Sequence, residues 1–293
     1  MSKIGFIGVG LMGAAMAHRL LDKGHELKIL GNRNRENITT LLDRGATEAS
    51  TAAELASASE IVMLCVGTSD QVESRMHGDD GVIAGLNADS VVIDFGTSLP
   101  ASTRTLGTEV EAAGGQYLDA PLGRTPAHAK DGLLNIMCAG NEGAYNRVLP
   151  VLNDLGENVF HLGALGSGHT VKLINNFFGM TVANAMAEAF AMADVQGVDR
   201  KAVYDVMSAG PLHSGMMDFV KGYGVDGDPA QLAFAIKNAA KDVGYYAQMA
   251  EQAGVKSVMS ASTLAALSDA NAHGKGDEMV SQMVDYYAEK LKA

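Results

Sequence analysis

Cysteine is nearly absent from this chain of 293 residues, which carries only Cys65 and Cys138. The two form no CxxC pair and fall at no metal-ligand spacing with the scattered histidines, so no metal is expected. They read as small buried apolar residues, and their scarcity fits a reducing, cytoplasmic compartment. Basic residues are also short: the formal net charge is −12 and no Lys/Arg run offsets it locally, which argues against a nucleic-acid partner. An anionic small molecule would have to be held by a few placed cations. Long pure apolar runs are missing too. The most apolar stretch, 170–195, is interrupted by Asn, Glu and Asp and does not read as a membrane span. The N-terminal MSKIGFIGVGLMGAAMAHRL imitates a secretory signal, but Gly5, Gly8, Gly10 and Gly13 would weaken the helix a signal needs, so export is not expected. There is no internal repeat and no low-complexity tract.

What is present is a globular composition, 47% hydrophobic and 19% charged, on a chain long enough for two domains. Lys3 to Val9 has strand length and passes directly into Gly8-Val9-Gly10-Leu11-Met12-Gly13, followed by the helical pattern AAMAHRLLDKG. GxGxxG between strand and helix has a physical reading. The first glycine makes the turn, the second lets backbone approach a pyrophosphate, and the third permits close helix packing. Gly8, Gly10, Leu11, Met12 and Gly13 are therefore candidate dinucleotide contacts, with the helix N-terminus facing the phosphates.

A second strand, HELKIL, ends in Gly31-Asn32-Arg33-Asn34-Arg35, with no carboxylate before Glu36 to take a ribose 2′-hydroxyl. Arg33 and Arg35, with Asn32, could instead grip a 2′-phosphate, which favours NADP(H) and leaves NAD(H) as the alternative. The plainer alternative is a pair of solvated loop arginines. IVMLCV at 61–66 and VVIDF at 91–95 are further strands, with helices between them, so the sheet should be parallel and covered on both faces. Val66, Gly67 and Thr97 follow strand ends and should line the cofactor cleft.

YLDAPLG at 117–123 reads as one more strand, running into Arg124-Thr125-Pro126. Gly123, Arg124 and Thr125 form a compact set of anion donors suited to a carboxylate or sulfonate, although a loop arginine is by default solvated. His128 could carry protons or simply pack in its loop. Leu134 to Ala139 and Val159 to His161 should complete the sheet, and after HLGALGSG at 161–168 helical signals dominate.

The segment GSGHTVKLINNFF opens the longest apolar helix, proline-free from Thr170 to Val195 and about 40 Å long at 1.5 Å per residue. Lys172, Asn175 and Asn176 stand at i, i+3 and i+4, so one ammonium and two amides share a face that could hold a polar substrate. A lysine on such a helix either lines a cleft or sends its head to water. Gly197 should close the helix, and Asp199 should cap the next one. Gln231 to Ala253 reads as helical throughout, with Phe234, Lys237, Lys241 and Asp242 recurring at three- and four-residue steps.

Taken together these segments resemble the β-hydroxyacid dehydrogenase family, the group of 3-hydroxyisobutyrate dehydrogenase and the semialdehyde reductases. IGFIGVGLMGAAMA is similar to its N-terminal signature, DAPLGRT stands where many members carry DAPVSGG, and GSGHTVKLINN is similar to the segment bearing the catalytic lysine. FAIKNAAKD, with Phe234 and Lys241, is similar to the segment that reaches the nicotinamide. The resemblance implies an α/β N-terminal Rossmann-type doubly wound domain over 1–163 followed by an all-α C-terminal domain over 164–293 for substrate and oligomerisation. It further implies Lys172 as acid/base, Asn176 orienting substrate with Asn175 nearby, Thr97 and Lys241 on the cofactor, and a homodimer or homotetramer. Two departures stand out. Cys65-Val66-Gly67 replaces the usual Met-Leu-Pro, and Gly123-Arg124-Thr125 replaces Ser-Gly-Gly in a form similar to sulfolactaldehyde reductase, whose substrate carries a sulfonate.

The expected reaction is hydride transfer between a nicotinamide and the carbinol carbon of a small 3-hydroxyacid. Alternatives are a sulfonate-bearing substrate, an imine-reducing relative, a decarboxylating 6-phosphogluconate-type enzyme, and a non-catalytic dinucleotide-binding regulator. The imine reducers generally lack the lysine, and the 6-phosphogluconate type has a longer helical domain.

Overall fold

The computed structural model describes residues 1–31 and 35–292 and divides into two compact units, Met1–Lys172 and Leu173–Ala293. In the first unit strands and helices alternate: β1 (Lys3–Ile7), α1 (Leu11–Asp22), β2 (Glu26–Leu30), α2 (Glu36–Leu42), β3 (Thr47–Ala49), α3 (Ala52–Ser57), β4 (Ile61–Leu64), α4 (Ser69–Met76), β5 (Val91–Asp94), α5 (Pro100–Ala112) and β6 (Gln116–Asp119). Then come β7 (Leu122–Gly123), α6 (Pro126–Asp131), β8 (Leu134–Gly140), α7 (Glu142–Leu155) and β9 (Gly156–His161). The strands form one nine-stranded sheet in the order β3-β2-β1-β4-β5-β6-β8-β7, with β9 beside β8.

From β3 to β6 every pairing is parallel, as in β1 with β4, where Ile4 faces Ile61 and Ile7 faces Leu64. Alternate residues of each strand enter different cores, because successive side chains point to opposite faces. Ile4, Phe6, Met63 and Ile93 join α1 and α7 in one cluster, while Ile7, Val62, Leu64 and Val92 join α3 to α5 in another. This is the doubly wound arrangement expected from the sequence.

The far end of the sheet differs in detail. YLDAPLG is two strands, because Pro121 has no N–H to continue a ladder; β6 and β7 both pair antiparallel with β8. The short β3 is a further strand that the sequence pattern does not announce.

The second unit is helical: α8 (Ser167–Val195, whose first turns belong to the first unit), α9 (Arg200–Ser208), α10 (Gly215–Gly224), α11 (Ile236–Gln252), α12 (Val258–Ala270) and α13 (Met283–Lys290). Met180, Ala183, Ala187 and Phe190 step along α8 at helical spacing into a core with Val220, Ile236, Val243, Leu267 and Met283. The opposite side of α8 is open, with Ile174 and Phe178 exposed, so the helix is less buried than its composition suggests. Asp199 caps α9 by accepting from Ala202 N, as expected. Phe234, however, precedes α11 instead of lying within it, so it shares no helix face with Lys237 and Lys241. Among the described residues no helix is long and apolar enough to cross a membrane.

Candidate active site

The turn from β1 into α1 has the geometry that its glycines require. Gly8 has φ +98°, and a Cβ there would press on the Cys65 carbonyl. A Cβ at Gly13 would strike the Gly8 carbonyl, so the helix packs directly on the turn. Gly10 is the N-cap of α1, with no side-chain cap and no acidic residue in the first turn. A Cβ at Gly10 would meet nothing within 4 Å, which leaves the first-turn amides accessible to an anion. Leu11 points outward, and Met12 packs on the core beneath.

At the end of β2, Asn32 and Arg33 lie outside the described residues. Arg35 makes a bidentate pair with Glu48, at 2.6 and 2.8 Å, and Gly31 packs against that pair. After β4, Val66 is half-buried; Gly67 N donates to Gln71 Oε1 at 2.9 Å, which ties the loop to α4. After β5, Asp94 is fully buried and accepts from Gly96 N at 2.8 Å and Ser98 Oγ at 2.7 Å, so Thr97 is presented from a turn pinned on both sides.

Lys172 is half-buried on the second turn of α8, and its Nζ donates to the Leu122 carbonyl at 2.6 Å. That bond brings the lysine beside Gly123 and the 123–125 loop. Arg124 has φ +77°, and its guanidinium donates to Leu133 O at 2.7 Å and to Glu157 Oε2 at 2.5 Å. Its head is thus held by β9 and the residue that precedes β8. Thr125 Oγ1 is 2.8 Å from His128 Nδ1, so that histidine serves its own loop.

In the second unit a polar chain runs from α8 to α11. Asn175 Nδ2 donates to Asn176 Oδ1 at 3.1 Å, and Asn176 Nδ2 donates to the buried Asp242 at 2.6 Å. The Lys241 ammonium lies 3.0 Å from the other Asp242 oxygen and 5.2 Å from the Tyr245 ring centre. Both ends of the Asn176 amide are engaged within this chain. Phe234 packs against the second core.

Sequence reasoning does not single out Asp242 as a site residue, and it misses the group behind Lys172. Asp119, at the end of β6, accepts from Gly166 N at 2.8 Å and His169 N at 2.7 Å and so caps α8. Burial raises its pKa, opposed by His169 and these amides. Cys65 and Cys138 are free thiols pushed up to about 12 by burial and by the charges of Asp94 and Asp119 respectively, which disfavours the nucleophilic thiolate.

A doubly wound sheet with an open glycine turn at the head of α1 defines a dinucleotide-binding oxidoreductase fold. Residues 3–163 match the family model described as the NAD binding domain of 6-phosphogluconate dehydrogenase, and residues 166–287 that described as NAD-binding of NADP-dependent 3-hydroxyisobutyrate dehydrogenase. The chain belongs to the β-hydroxyacid dehydrogenase family, in the 3-hydroxyisobutyrate dehydrogenase group, and is therefore an NAD(P)-binding oxidoreductase. It is 32% identical over 285 residues to 3-sulfolactaldehyde reductase of Escherichia coli (strain K12), covering 97% of this chain and 95% of that one. It is also 32% identical over 218 residues to 2-hydroxy-3-oxopropionate reductase of the same organism, covering 74% and 73%. The fold is that of Mycobacterium tuberculosis 3-hydroxyisobutyrate dehydrogenase, with a TM-score of 0.89 at 23% identity and 100% of both chains covered.

Proposed function

We propose that the chain interconverts a small 3-hydroxyacid and its semialdehyde, with NADP(H) preferred and Lys172 as acid/base. The observation that supports this reading is the 2.6 Å bond from Lys172 Nζ to Leu122 O, next in the chain to Gly123, Arg124 and Thr125, the residues read as the substrate's anion donors. When bound, the nicotinamide supplies or accepts the hydride. Gly8, Gly10, Leu11, Met12 and Gly13 hold the pyrophosphate, and Val66, Gly67, Thr97, Phe234 and Lys241 contact the rest of the cofactor. Arg33 with Asn32 takes the 2′-phosphate, with Arg35 recruited only if it leaves Glu48. In reduction the substrate carbonyl oxygen gains negative charge, and Lys172 gives it a proton; in oxidation the neutral amine takes the hydroxyl proton. The backbone of 123–125 and the amides of Asn175 and Asn176 orient the substrate over the cofactor, a contribution of several kcal/mol by positioning alone.

In this reading residues 1–163 form the cofactor domain and 164–293 the substrate and oligomerisation domain of a cytoplasmic homodimer or homotetramer. A sulfonate-bearing aldehyde is the second reading, supported by Gly123-Arg124-Thr125 and by the similarity to 3-sulfolactaldehyde reductase. The test is oxidation of NADPH and NADH by purified protein with succinic semialdehyde, glyoxylate, tartronate semialdehyde, methylmalonate semialdehyde and sulfolactaldehyde. One aldehyde should dominate, and Lys172→Ala should lower its turnover by about 10²–10⁴-fold while NADPH still binds. Near-normal turnover in that variant removes Lys172 from the role; inertness to every aldehyde with NADPH bound favours a regulator.

A further inference from the structure

His169 is completely buried one turn before Lys172, and the mechanism above does not use it. Four elements converge on its ring. Nδ1 is 2.8 Å from Thr103 Oγ1 on α5 and 3.8 Å from Asp119 Oδ2 at the end of β6, while Nε2 is 3.6 Å from Asp94 Oδ2 at the end of β5. The fourth is α8 itself, whose first turn Asp119 caps. Tyr117 is also buried close to both carboxylates, which raise its pKa further after burial has done so.

Hydrogen placement narrows the choices. If Thr103 donates to Nδ1, the neutral ring carries its proton on Nε2. If Thr103 instead donates to the Leu99 carbonyl, 3.2 Å away, Nδ1–H donates to Thr103. In the first arrangement Nε2–H faces Asp94 Oδ2 across 3.6 Å, an electrostatic contact longer than a hydrogen bond. Asp94 in turn fixes the Gly96–Ser98 turn that presents Thr97, and Asp119 fixes the start of the helix that presents Lys172.

We propose that His169 is a positioning residue, bridging Asp94 and the capped first turn of α8 so that the Thr97 turn and Lys172 keep one mutual geometry. This rests on the reading of Lys172 as acid/base, because the bridge matters to turnover only if the lysine does. A glutamine side chain at this position could replace the bridge, with its amide NH₂ reaching Asp94 and its oxygen accepting from Thr103, whereas an asparagine side chain is one methylene short of it.

The experiment compares His169→Asn and His169→Gln in the full chain, by kcat, KM, the pH profile of kcat, the NADPH dissociation constant and amide hydrogen exchange at Gly96, Gly166 and His169. His169→Asn should lower kcat about tenfold or more, as a catalytic group displaced by an ångström does. It should displace the Lys172 limb of the pH profile, speed exchange at these amides, and leave the NADPH constant within about threefold. His169→Gln should restore all of these. Unchanged kcat, pH limb and exchange in His169→Asn overturn the proposal. So does a loss that His169→Gln fails to relieve, which would assign the histidine to packing alone. Should Lys172→Ala prove active, the acid/base reading fails, and the exchange rates still decide the bridge. If His169→Asn does not fold, Thr103→Val, which removes the hydrogen bond that orients the ring toward Asp94, must show the same pH and exchange signature or the bridge is refuted.

Discussion

Arg124 occupies a left-handed backbone position, φ +77°, that a side chain adopts only at a cost of about 1 kcal/mol, and its guanidinium is turned onto Glu157. The loop backbone thus turns through a left-handed residue while the guanidinium is held on Glu157. Partly exposed pairs of this kind are worth about 0–1 kcal/mol, so an anionic substrate could draw the arginine away cheaply. Glu157→Gln should then lower KM for the anionic aldehyde by no more than about fivefold, and Arg124→Ala should raise it about tenfold, as the loss of a charge-assisted contact does. If both variants leave KM unaltered in steady-state assays, the arginine is structural and the loop binds through its backbone. The Arg35–Glu48 pair makes the same point at the cofactor end. Glu48→Gln should release Arg35 and tighten NADPH binding while NADH binding, titrated in parallel, stays level. Tightening of both cofactors alike would place Arg35 away from the 2′-phosphate.

At the scale of elements, what can be read from the sequence is what repeats or abuts. β1, its glycine turn and α1 are contiguous, and α8 declares itself by a long proline-free apolar run; both are legible. The group on His169 is not, because its partners lie far away in the chain, and only the parallel register of β5 and β6 brings Asp94 and Asp119 level. Phe234 is misplaced by the sequence pattern because Pro229 and the short helical turn it begins leave no periodic signal separating them from α11. Another element-scale link joins α8 to α9: Asp194 accepts from Arg200 at 2.9 and 2.5 Å, and Arg200 also donates to the Gly224 carbonyl of α10. The guanidinium holds the Asp194 carboxyl below its ordinary value. A depressed acid contributes stability that is complete above its unfolded pKa of about 3.9 and is lost as pH falls through the folded value. Asp194→Asn should thus cost about 1 kcal/mol at pH 7 by thermal melting, with the gap to the parent narrowing steadily below about pH 4. A gap that stays constant into acid would assign the loss to packing.

The whole molecule is two separately cored units with a net charge of −12, so an anionic cofactor meets general repulsion and must be held by local donors. With two cores, heat unfolding has no requirement to be a single transition, and a ligand raises only the transition of a unit whose native form it binds. At a hundred times its dissociation constant NADPH should stabilise the first unit by about 2.7 kcal/mol, which for a unit of this size is a rise of about 5–10 °C. Gly10 offers a clean control. Its backbone, at φ −71° and ψ −162°, suits a side chain, and a Cβ there meets open space. Gly10→Val should therefore melt like the parent without cofactor, yet lose most of the rise with it, because the valine fills the approach to the pyrophosphate. In calorimetry, a Gly10→Val protein that keeps the full NADPH rise would mean that the phosphates bind elsewhere than the head of α1. A variant that already melts early without cofactor would mean instead that the glycine serves the turn and leaves the binding question to Leu11 and Met12.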